Sequence, residues 1–291
     1  MVATPHDFIF KSGLSYAPDE QRKIERQMPR WLKACSRLVV STQFVADELK
    51  RYYPAWARKA EVVPTGIPAS RRPPTAGEVE KFRREHSLSE QFVLTVGWMV
   101  EHKNQKVVFE AVAKLRDRGV HIPVVCVGPN SAVLNDPEVL EGDKEAGKGY
   151  PSKILEFCRT EGLKNGSDYF CLGYVDDFAL ECLYRCATML IVPSITEAGS
   201  FPGREAARAG CPVVFADTPV HEDEVGLIEN NAWTFPVHDG GALAHVIETV
   251  ANGGEEVQKR VQAAQKIVLR VYTWNQMARG YFSVFERITE L

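Results

Sequence analysis

Short, wholly apolar runs that alternate with helical patterns constrain the fold of this chain more than any other feature. The apolar runs predict strands at residues 37–41, 61–64, 92–97, 122–127, 169–172, 189–192 and 212–216. Apolar residues at helical spacing predict helices at residues 43–52, 104–116, 178–186, 241–250, 255–269 and 274–288. A strand that is apolar on both faces belongs to a parallel sheet covered by helices on both sides. The pattern therefore predicts an α/β fold with a Rossmann-like, doubly wound parallel sheet.

The predicted elements form two unequal parts on either side of a turn-rich stretch that ends near residue 74. Residues 68–273 hold enough strand–helix units for one complete domain, whereas residues 1–67 hold only a partial one. Either the first domain is reduced or the chain is the latter part of a longer protein, and we favour the second explanation. The apolar face of residues 274–291, which includes Met277, Tyr281 and Val284, predicts a last helix that packs back on the partial domain.

Charge and apolar content exclude several classes of protein. With 35 basic and 38 acidic residues, the chain offers no polycationic surface for nucleic acid and no basis for more than peripheral membrane contact. No run approaches the ~18 apolar residues of a membrane span, and the first residues do not form a signal-peptide pattern. The seven cysteines form no C-x-x-C pair and no metal-binding set. They fit reduced core thiols and a cytoplasmic location, including the cytoplasmic face of the membrane.

Ligands of doubly wound sheets bind beyond the carboxyl ends of the strands. One loop of this kind, residues 129–151, is long and irregular, and it is either a lid over the cleft or a mobile surface insertion. Residues 189–209 carry more chemistry, because a buried strand is followed by a glycine-containing loop with Glu197 and then by a helix. The N–H groups and the dipole of such a helix start favour a phosphate. On spacing alone, Glu205 fits either a ligand of sugar hydroxyls or a first-turn acid that stabilises the helix.

This segment also resembles a known family. Seven residues separate Glu197 from Glu205, and G-C-P-V-V follows at residues 210–214. The pattern is similar to the E-x7-E signature and the G-x-P-V-V element of the retaining family 4 glycosyltransferases, which have the GT-B fold. Further elements match in family order: His6 with Asp7, residues 63–67 (V-P-T-G-I), Val96 and Gly97 before Lys103 and Asn104, residues 173–175 (G-Y-V), and Pro193 with Ser194. The resemblance covers nearly the whole chain and implies a GT-B-like fold whose amino-terminal domain is truncated.

The resemblance implies transfer of a sugar from a nucleotide diphosphate sugar to a glycan, lipid-linked or small-molecule acceptor. Such transfer retains the anomeric configuration and needs no metal or other cofactor, so cations and N–H groups must stabilise the departing diphosphate. By this resemblance Lys103 binds phosphate, Glu197 binds hydroxyls of the transferred sugar, and His6 reaches that sugar from the other side of the cleft. From the residues alone, Lys103 also fits a solvated lysine at a helix start, and His6 fits a strand-end residue without a role.

Two further sets of contacts complete the donor site that the resemblance implies. Glu205 would hold the ribose hydroxyls. The loops that surround the nucleotide would contribute Gly97, Val175, Gly199, Ser200 and Phe201, the last three with amides that face the distal phosphate.

The chain departs from the family pattern in its positive charges. Trp98 stands where many members have an arginine, and His102 stands where many have a second basic residue before the lysine. Arg204 lies in the first helical turn, where a cation opposes the helix dipole unless an anion is near. It either compensates in part for the missing charge or is simply solvated.

Three other functions fit the pattern less well than a glycosyltransferase. A GT-B sugar epimerase or phosphorylase would use other carboxylate, histidine or lysine sets. A donor-binding fragment without turnover would follow if the absent acceptor-side residues are essential. A glycoside hydrolase needs two carboxylates on either side of one bond, and the loop-to-helix pair here suits hydroxyl recognition better.

Overall fold

The computed structural model describes residues 1–14, 16–68, 72–135 and 149–289. Its smaller unit is built on three parallel strands, β1 (Val2–Ala3), β2 (Arg37–Val40) and β3 (Ala60–Val62), in the order β1-β2-β3. Three helices belong to it, namely α1 (Pro18–Ala34), α2 (Gln43–Tyr52) and α3 (Pro54–Ala57). Its main core lies between β2 and these helices and includes Phe8, Leu32, Leu38 and Leu49.

The larger unit contains a sheet of six parallel strands. They are β4 (Val93–Val96), β5 (Val124–Val127), β6 (Tyr169–Gly173), β7 (Met189–Val192), β8 (Val213–Asp217) and β9 (Trp233–Pro236). Their spatial order is β6-β5-β4-β7-β8-β9. This order matches that of a doubly wound nucleotide-binding sheet, in which the first and fourth strands lie side by side at the centre. The α/β fold predicted from the alternation is therefore confirmed.

Helices cover both faces of the large sheet, which explains why most residues of its inner strands are apolar and buried. The helices are α4 (Ala76–Glu85), α5 (Lys106–Asp117), α6 (Gly149–Glu161), α7 (Asp177–Cys186), α8 (Phe201–Ala209), α9 (Pro219–Leu227), α10 (Gly240–Ala251) and α11 (Glu255–Val271). Val93 packs into the core with α5, α6 and α10, whereas the next residue, Leu94, packs into the core with α4, α7, α8 and α11. Successive side chains of a strand point to opposite faces, so both faces require apolar residues.

The last helix, α12 (Trp274–Thr289), crosses from the large unit to the small one. Val284 is fully buried and packs with Val39 and Val63 next to the small sheet. The Tyr281 hydroxyl lies 3.0 Å from Thr4 Oγ1. At the crossing, Ile67 N donates to the Tyr272 carbonyl at 3.0 Å, so the outgoing and returning segments run side by side.

The periodicity of apolar residues does not predict some of the elements, because these elements bury few side chains. Helix α1 buries only Leu32, so its apolar face is too thin to recognise. Strand β9 lies at the sheet edge and buries only Phe235. The irregular loop predicted at residues 129–151 contains a 3-10 helix, Ser131–Asn135, and its last three residues belong to α6. Residues 136–148 lie outside the described part.

The cysteines are core residues without disulfides. All seven thiols are free, and six of them are buried. Burial raises the pKa of Cys158, Cys186 and Cys211 to about 12, so these thiols stay protonated and unreactive near neutral pH. Within the described ranges, no helix is both long and apolar enough to span a bilayer.

Candidate functional site

The candidate site lies where β4 and β7 are neighbours although two strands separate them along the chain. At such a point the loops that follow the two strands part and leave a crevice. Asn104 joins these loops, because its Nδ2 donates to the Pro193 carbonyl at 3.2 Å and to the Val237 carbonyl at 2.7 Å. It adopts the left-handed conformation, with φ of 54°, directly after the 3-10 helix Glu101–Lys103. The bridge brings Lys103 next to the loop of Glu197.

Glu197 is the most strongly held carboxylate of the crevice. It is buried, and its Oε2 forms an ion pair with Lys103 Nζ. The Ser194 hydroxyl donates to the same oxygen at 3.3 Å, and His221 Nε2 lies 3.0 Å from Oε1. Burial alone would raise the pKa of Glu197, but the Lys103 charge and the His221 hydrogen bond lower it to about 2. Glu197 is therefore ionised across the physiological pH range, and Lys103 is its counter-ion.

Helix α8 begins at the end of this loop, as expected for an anion site, but one of its amides is already bound. Ser200 is fully buried, and its hydroxyl accepts a hydrogen bond from Gly203 N at 3.1 Å. Ser200 N donates to Glu224 Oε1 at 3.1 Å, so it does not point freely at a phosphate as the resemblance implied. Among the described residues, the amides of Gly199 and Phe201 have no hydrogen-bond acceptor.

Gly199 is required by its surroundings. Its φ is +146°, and a Cβ there would lie 2.9 Å from both Arg204 Nη2 and Glu224 Oε1. Any other residue would disturb this ion pair as well as the backbone. The glycine of the predicted phosphate loop thus serves the packing of the helix start.

Arg204 is buried rather than solvated. Its side chain and that of Glu224 are each 3% exposed, and Arg204 Nε donates to Glu224 Oε2 at 3.0 Å. The guanidinium also lies 4.3 Å from the centre of the Tyr272 ring. Burial alone would lower the pKa of Arg204, but Glu224 raises it. Glu224 is the anion that permits a cation at this helix start, and the expectation of a solvated Arg204 was wrong.

Glu205 lies on α8, beyond the contacts of Glu197. Its Oε2 accepts a hydrogen bond from the Tyr184 hydroxyl at 3.0 Å. Burial raises its pKa, and the hydrogen bond from Tyr184 and the charge of Arg208 oppose this only in part. Its other oxygen, Oε1, makes no hydrogen bond to the described residues and remains available to a hydroxyl ligand.

The loops after β4 and β6 place the other predicted residues around the crevice. Gly97, with φ of +143°, donates to the Val127 carbonyl at 2.9 Å, and it brings the loop close to Gly128. Val175 is half-buried against the sheet core. Trp98 and Tyr174 are 60% and 82% exposed, which leaves two aromatic faces at the carboxyl ends of the strands.

The small unit faces the same loop from the other side. The hydroxyls of Ser41 and Thr42 donate to the Ala198 carbonyl at 3.3 and 3.1 Å. His6 is exposed in the loop after β1, and no contact within the described part joins it to Lys103 or Glu197. Its neighbour Asp7 is within electrostatic range of the crevice, as shown at His102. Burial is the main factor that lowers the pKa of His102, and Asp7 acts to raise it.

Sequence reasoning missed Asn104 as a bridge and did not consider His221 or Glu224. None of them stands in the E-x7-E segment, and each reaches the site through sheet order. Within the described ranges, no three His, Cys, Asp or Glu side chains are grouped as metal ligands.

Comparison with known proteins identifies the family. The chain matches the description "Glycosyl transferases group 1" over residues 78–267. A D-inositol 3-phosphate glycosyltransferase of Salinispora arenicola is 30% identical over 265 residues, which cover 86% of this chain and 54% of the relative. Another, from Streptomyces scabiei, is 26% identical over 266 residues, which cover 87% of this chain and 54% of the relative. The chain spans about half the length of the curated relatives it matches.

Solved structures show the same fold. Anabaena Alr3699/HepE, in complex with UDP and glucose, matches with a TM-score of 0.78 and 16% identity over 100% of this chain and 71% of the other. A glycosyltransferase from Rickettsia africae matches with a TM-score of 0.73 and 20% identity over 99% and 70%. The family match covers most of the larger unit, including the crevice between β4 and β7. The chain belongs to the group 1 glycosyl transferases.

Proposed function

We propose that this protein transfers a sugar from a nucleotide diphosphate sugar to an acceptor, with retention of anomeric configuration and without a metal. The observation that supports this most directly is the pairing of Lys103 with Glu197 beside the start of α8. A partly exposed cation, two amides without an acceptor among the described residues, and a buried carboxylate then meet in one crevice. These groups match the two halves of such a donor, since the diphosphate needs positive charge and the sugar needs hydrogen-bond acceptors.

In the proposed reaction Lys103 leaves Glu197 and binds the diphosphate, together with the amides of Gly199 and Phe201. These groups stabilise the negative charge that grows on the leaving diphosphate. Glu197, freed on Oε2, accepts hydroxyls of the transferred sugar, and Glu205 accepts those of the ribose. His6 approaches the sugar from the small unit.

The test is a transfer assay with UDP-glucose, UDP-N-acetylglucosamine and GDP-mannose as donors. UDP is the first nucleotide to test because Anabaena Alr3699/HepE was solved with it, and D-inositol 3-phosphate is the first acceptor because the curated relatives are named for it. We expect one donor to be consumed in the presence of EDTA, with product of the same anomeric configuration by NMR. Inversion, or complete loss of activity with EDTA, would contradict the proposal.

Lys103→Ala should weaken binding of the nucleoside diphosphate roughly ten- to a hundredfold, because a hydrogen bond to a charged group contributes about 1.5–3 kcal/mol. Binding of the nucleoside alone should change little. Lys259→Ala is the matched control, since it removes the same charge from an exposed position of α11. Equal losses for nucleoside and diphosphate in titration calorimetry would show that Lys103 does not bind phosphate.

A donor-binding protein without turnover is the alternative, favoured by the small unit, whose described part has only three strands. Tight donor binding with no transfer to any acceptor would support it. An epimerase or phosphorylase would instead convert the donor without an acceptor or with phosphate.

A further inference from the structure

Among the described residues, His221 is the one side chain that is hydrogen-bonded to Glu197 without belonging to either loop of the crevice. It is the third residue of α9 and is fully buried, and its Nε2 lies 3.0 Å from Glu197 Oε1. It lies 24 residues beyond Glu197 in the chain. The turn from β8 into α9 brings the two together.

The imidazole is fixed from its other side. Its Nδ1 lies 2.8 Å from the Ala216 carbonyl and 3.0 Å from Thr218 Oγ1, and its ring packs at 5.0 Å from that of Phe215. The Ala216 carbonyl and the Glu197 carboxylate can both only accept, so Nδ1 donates to the carbonyl and Nε2 donates to the carboxylate, with a proton on each ring nitrogen. The ring therefore cannot turn away from Glu197 without losing a buried hydrogen bond.

The contacts of Glu197 differ in how easily a ligand could take them away. Lys103 is the exposed partner, with 25% of its side chain accessible, and it holds Oε2. Ser194 and His221 are buried, and in the part of the chain that the structure describes only His221 is hydrogen-bonded to Oε1. A diphosphate that draws Lys103 away removes a cation from Oε2 and leaves the His221 contact intact.

We propose that His221 is the positioning residue that holds Glu197 in place when Lys103 moves to the donor diphosphate, so that Oε2 meets the sugar. This inference rests on the proposed function. It assigns separate tasks to the two partners of Glu197: Lys103 recognises the diphosphate, and His221 secures recognition of the sugar. His221 itself touches neither the donor nor the reacting atoms.

The experiment compares the dissociation constants of UDP and of the UDP-sugar that the wild type binds most tightly, by titration calorimetry. The Kd of UDP divided by the Kd of the UDP-sugar measures how much the sugar adds to binding. We expect His221→Phe to reduce this ratio at least tenfold while the affinity for UDP stays within twofold. His221→Gln, whose amide can still donate to Glu197, should give an intermediate ratio. His245→Gln on α10 is the control, because that histidine is 71% exposed.

The outcomes separate the two proposals. A wild type that binds no nucleotide diphosphate or its sugar overturns the proposed function and this inference with it. A wild type that binds the UDP-sugar, together with His221 variants that keep the wild-type ratio, overturns only the inference. Equal losses for UDP and UDP-sugar also overturn it, since they would mean that His221 merely supports the fold. If His221→Phe does not fold, the intermediate ratio of His221→Gln decides.

Discussion

Glu197 shows how a buried carboxylate stays charged in this protein. It is 5% exposed, and burial of an ion without partners would be prohibitive. Lys103 supplies a charge and His221 a fixed hydrogen bond, and together they outweigh burial and bring the pKa to about 2. In this arrangement a ligand can displace Lys103 from Glu197, whereas the buried His221 stays in contact with it. A ligand can therefore take the lysine without leaving Glu197 unsatisfied.

The lowered pKa predicts a pH dependence of stability. A carboxylate whose folded pKa is depressed stabilises the protein above its unfolded value of 4.5, and this contribution is lost as pH falls toward 2. About 2 kcal/mol of it should be gone by pH 3. In urea unfolding, the stability difference between wild type and Glu197→Gln should therefore shrink by that amount from pH 7 to pH 3. Parallel curves would contradict this, and Glu256→Gln on the exposed face of α11 controls for the charge change.

The pKa of Glu205 is raised, whereas that of Glu197 is lowered. The direction of this shift makes it possible to distinguish a binding role of Glu205 from a structural one. Its pKa is raised mainly by burial, so the folded state disfavours its charge and loses stability as pH rises above 4.5. Glu205→Gln should therefore not lower the melting temperature of the unliganded protein at pH 7. It should weaken UDP binding roughly ten- to a hundredfold, since a charge-assisted bond is lost.

A nucleotide without the ribose hydroxyl checks the assignment of Glu205. The wild type should prefer UDP to 2′-deoxy-UDP in titration calorimetry, and Glu205→Gln should not. A lowered melting temperature with unchanged affinity would instead make Glu205 a first-turn acid.

At the scale of the element, helix α8 is held at its start by other parts of the chain. Ser200 caps Gly203, and Glu224 from α9 binds both the Ser200 amide and Arg204. A cation in the first turn is unfavourable for an isolated helix. Here the carboxylate of a neighbouring helix reverses that preference and fixes the loop of Glu197 against α9.

Removal of one partner of this buried pair should be costly. Glu224→Gln leaves the Arg204 charge unpaired and should lower the free energy of unfolding by about 3–5 kcal/mol. The double variant Arg204→Met with Glu224→Gln removes both charges and should recover most of that loss. Urea unfolding of the four proteins, including Arg204→Met alone, gives the coupling energy. Losses that simply add would show that the two charges do not interact.

At the scale of the whole molecule, the crossing of α12 joins the two units. Gly66 packs so closely that a Cβ there would lie 2.8 Å from Trp274 N. Gly280 of α12 meets the small unit equally closely, with a Cβ position 2.6 Å from Val63 Cγ1. The units thus share a packed interface at the crossing, besides the contacts of Ser41 and Thr42 with Ala198 and of the Phe44 amide with Asp223.

The packing at Gly280 predicts that replacing this helical glycine by alanine destabilises the protein, which is opposite to the usual effect. Glycine to alanine in a helix normally stabilises by up to about 1 kcal/mol. Gly280→Ala should instead destabilise by about 1–3 kcal/mol, since the methyl group overpacks against Val63. Gly226→Ala in α9, where nothing lies within 4 Å of the added atom, is the matched control and should be neutral or stabilising. A Gly280→Ala melting temperature at or above the wild-type value would contradict the close packing.

The sequence by itself determined the α/β class, most of the strands, and the loop and helix of Glu197 and Glu205. These features depend on residues near one another in the chain, so periodicity and spacing reveal them. The tertiary structure alone decided which groups meet: Lys103 pairs with Glu197 across 94 residues, and Arg204 with Glu224 across 20. Such partners depend on β4 lying beside β7 and on the turn from β8 into α9. The order of the strands depends on burial against helices that are distant in the chain, so the spacing of neighbouring residues does not predict it.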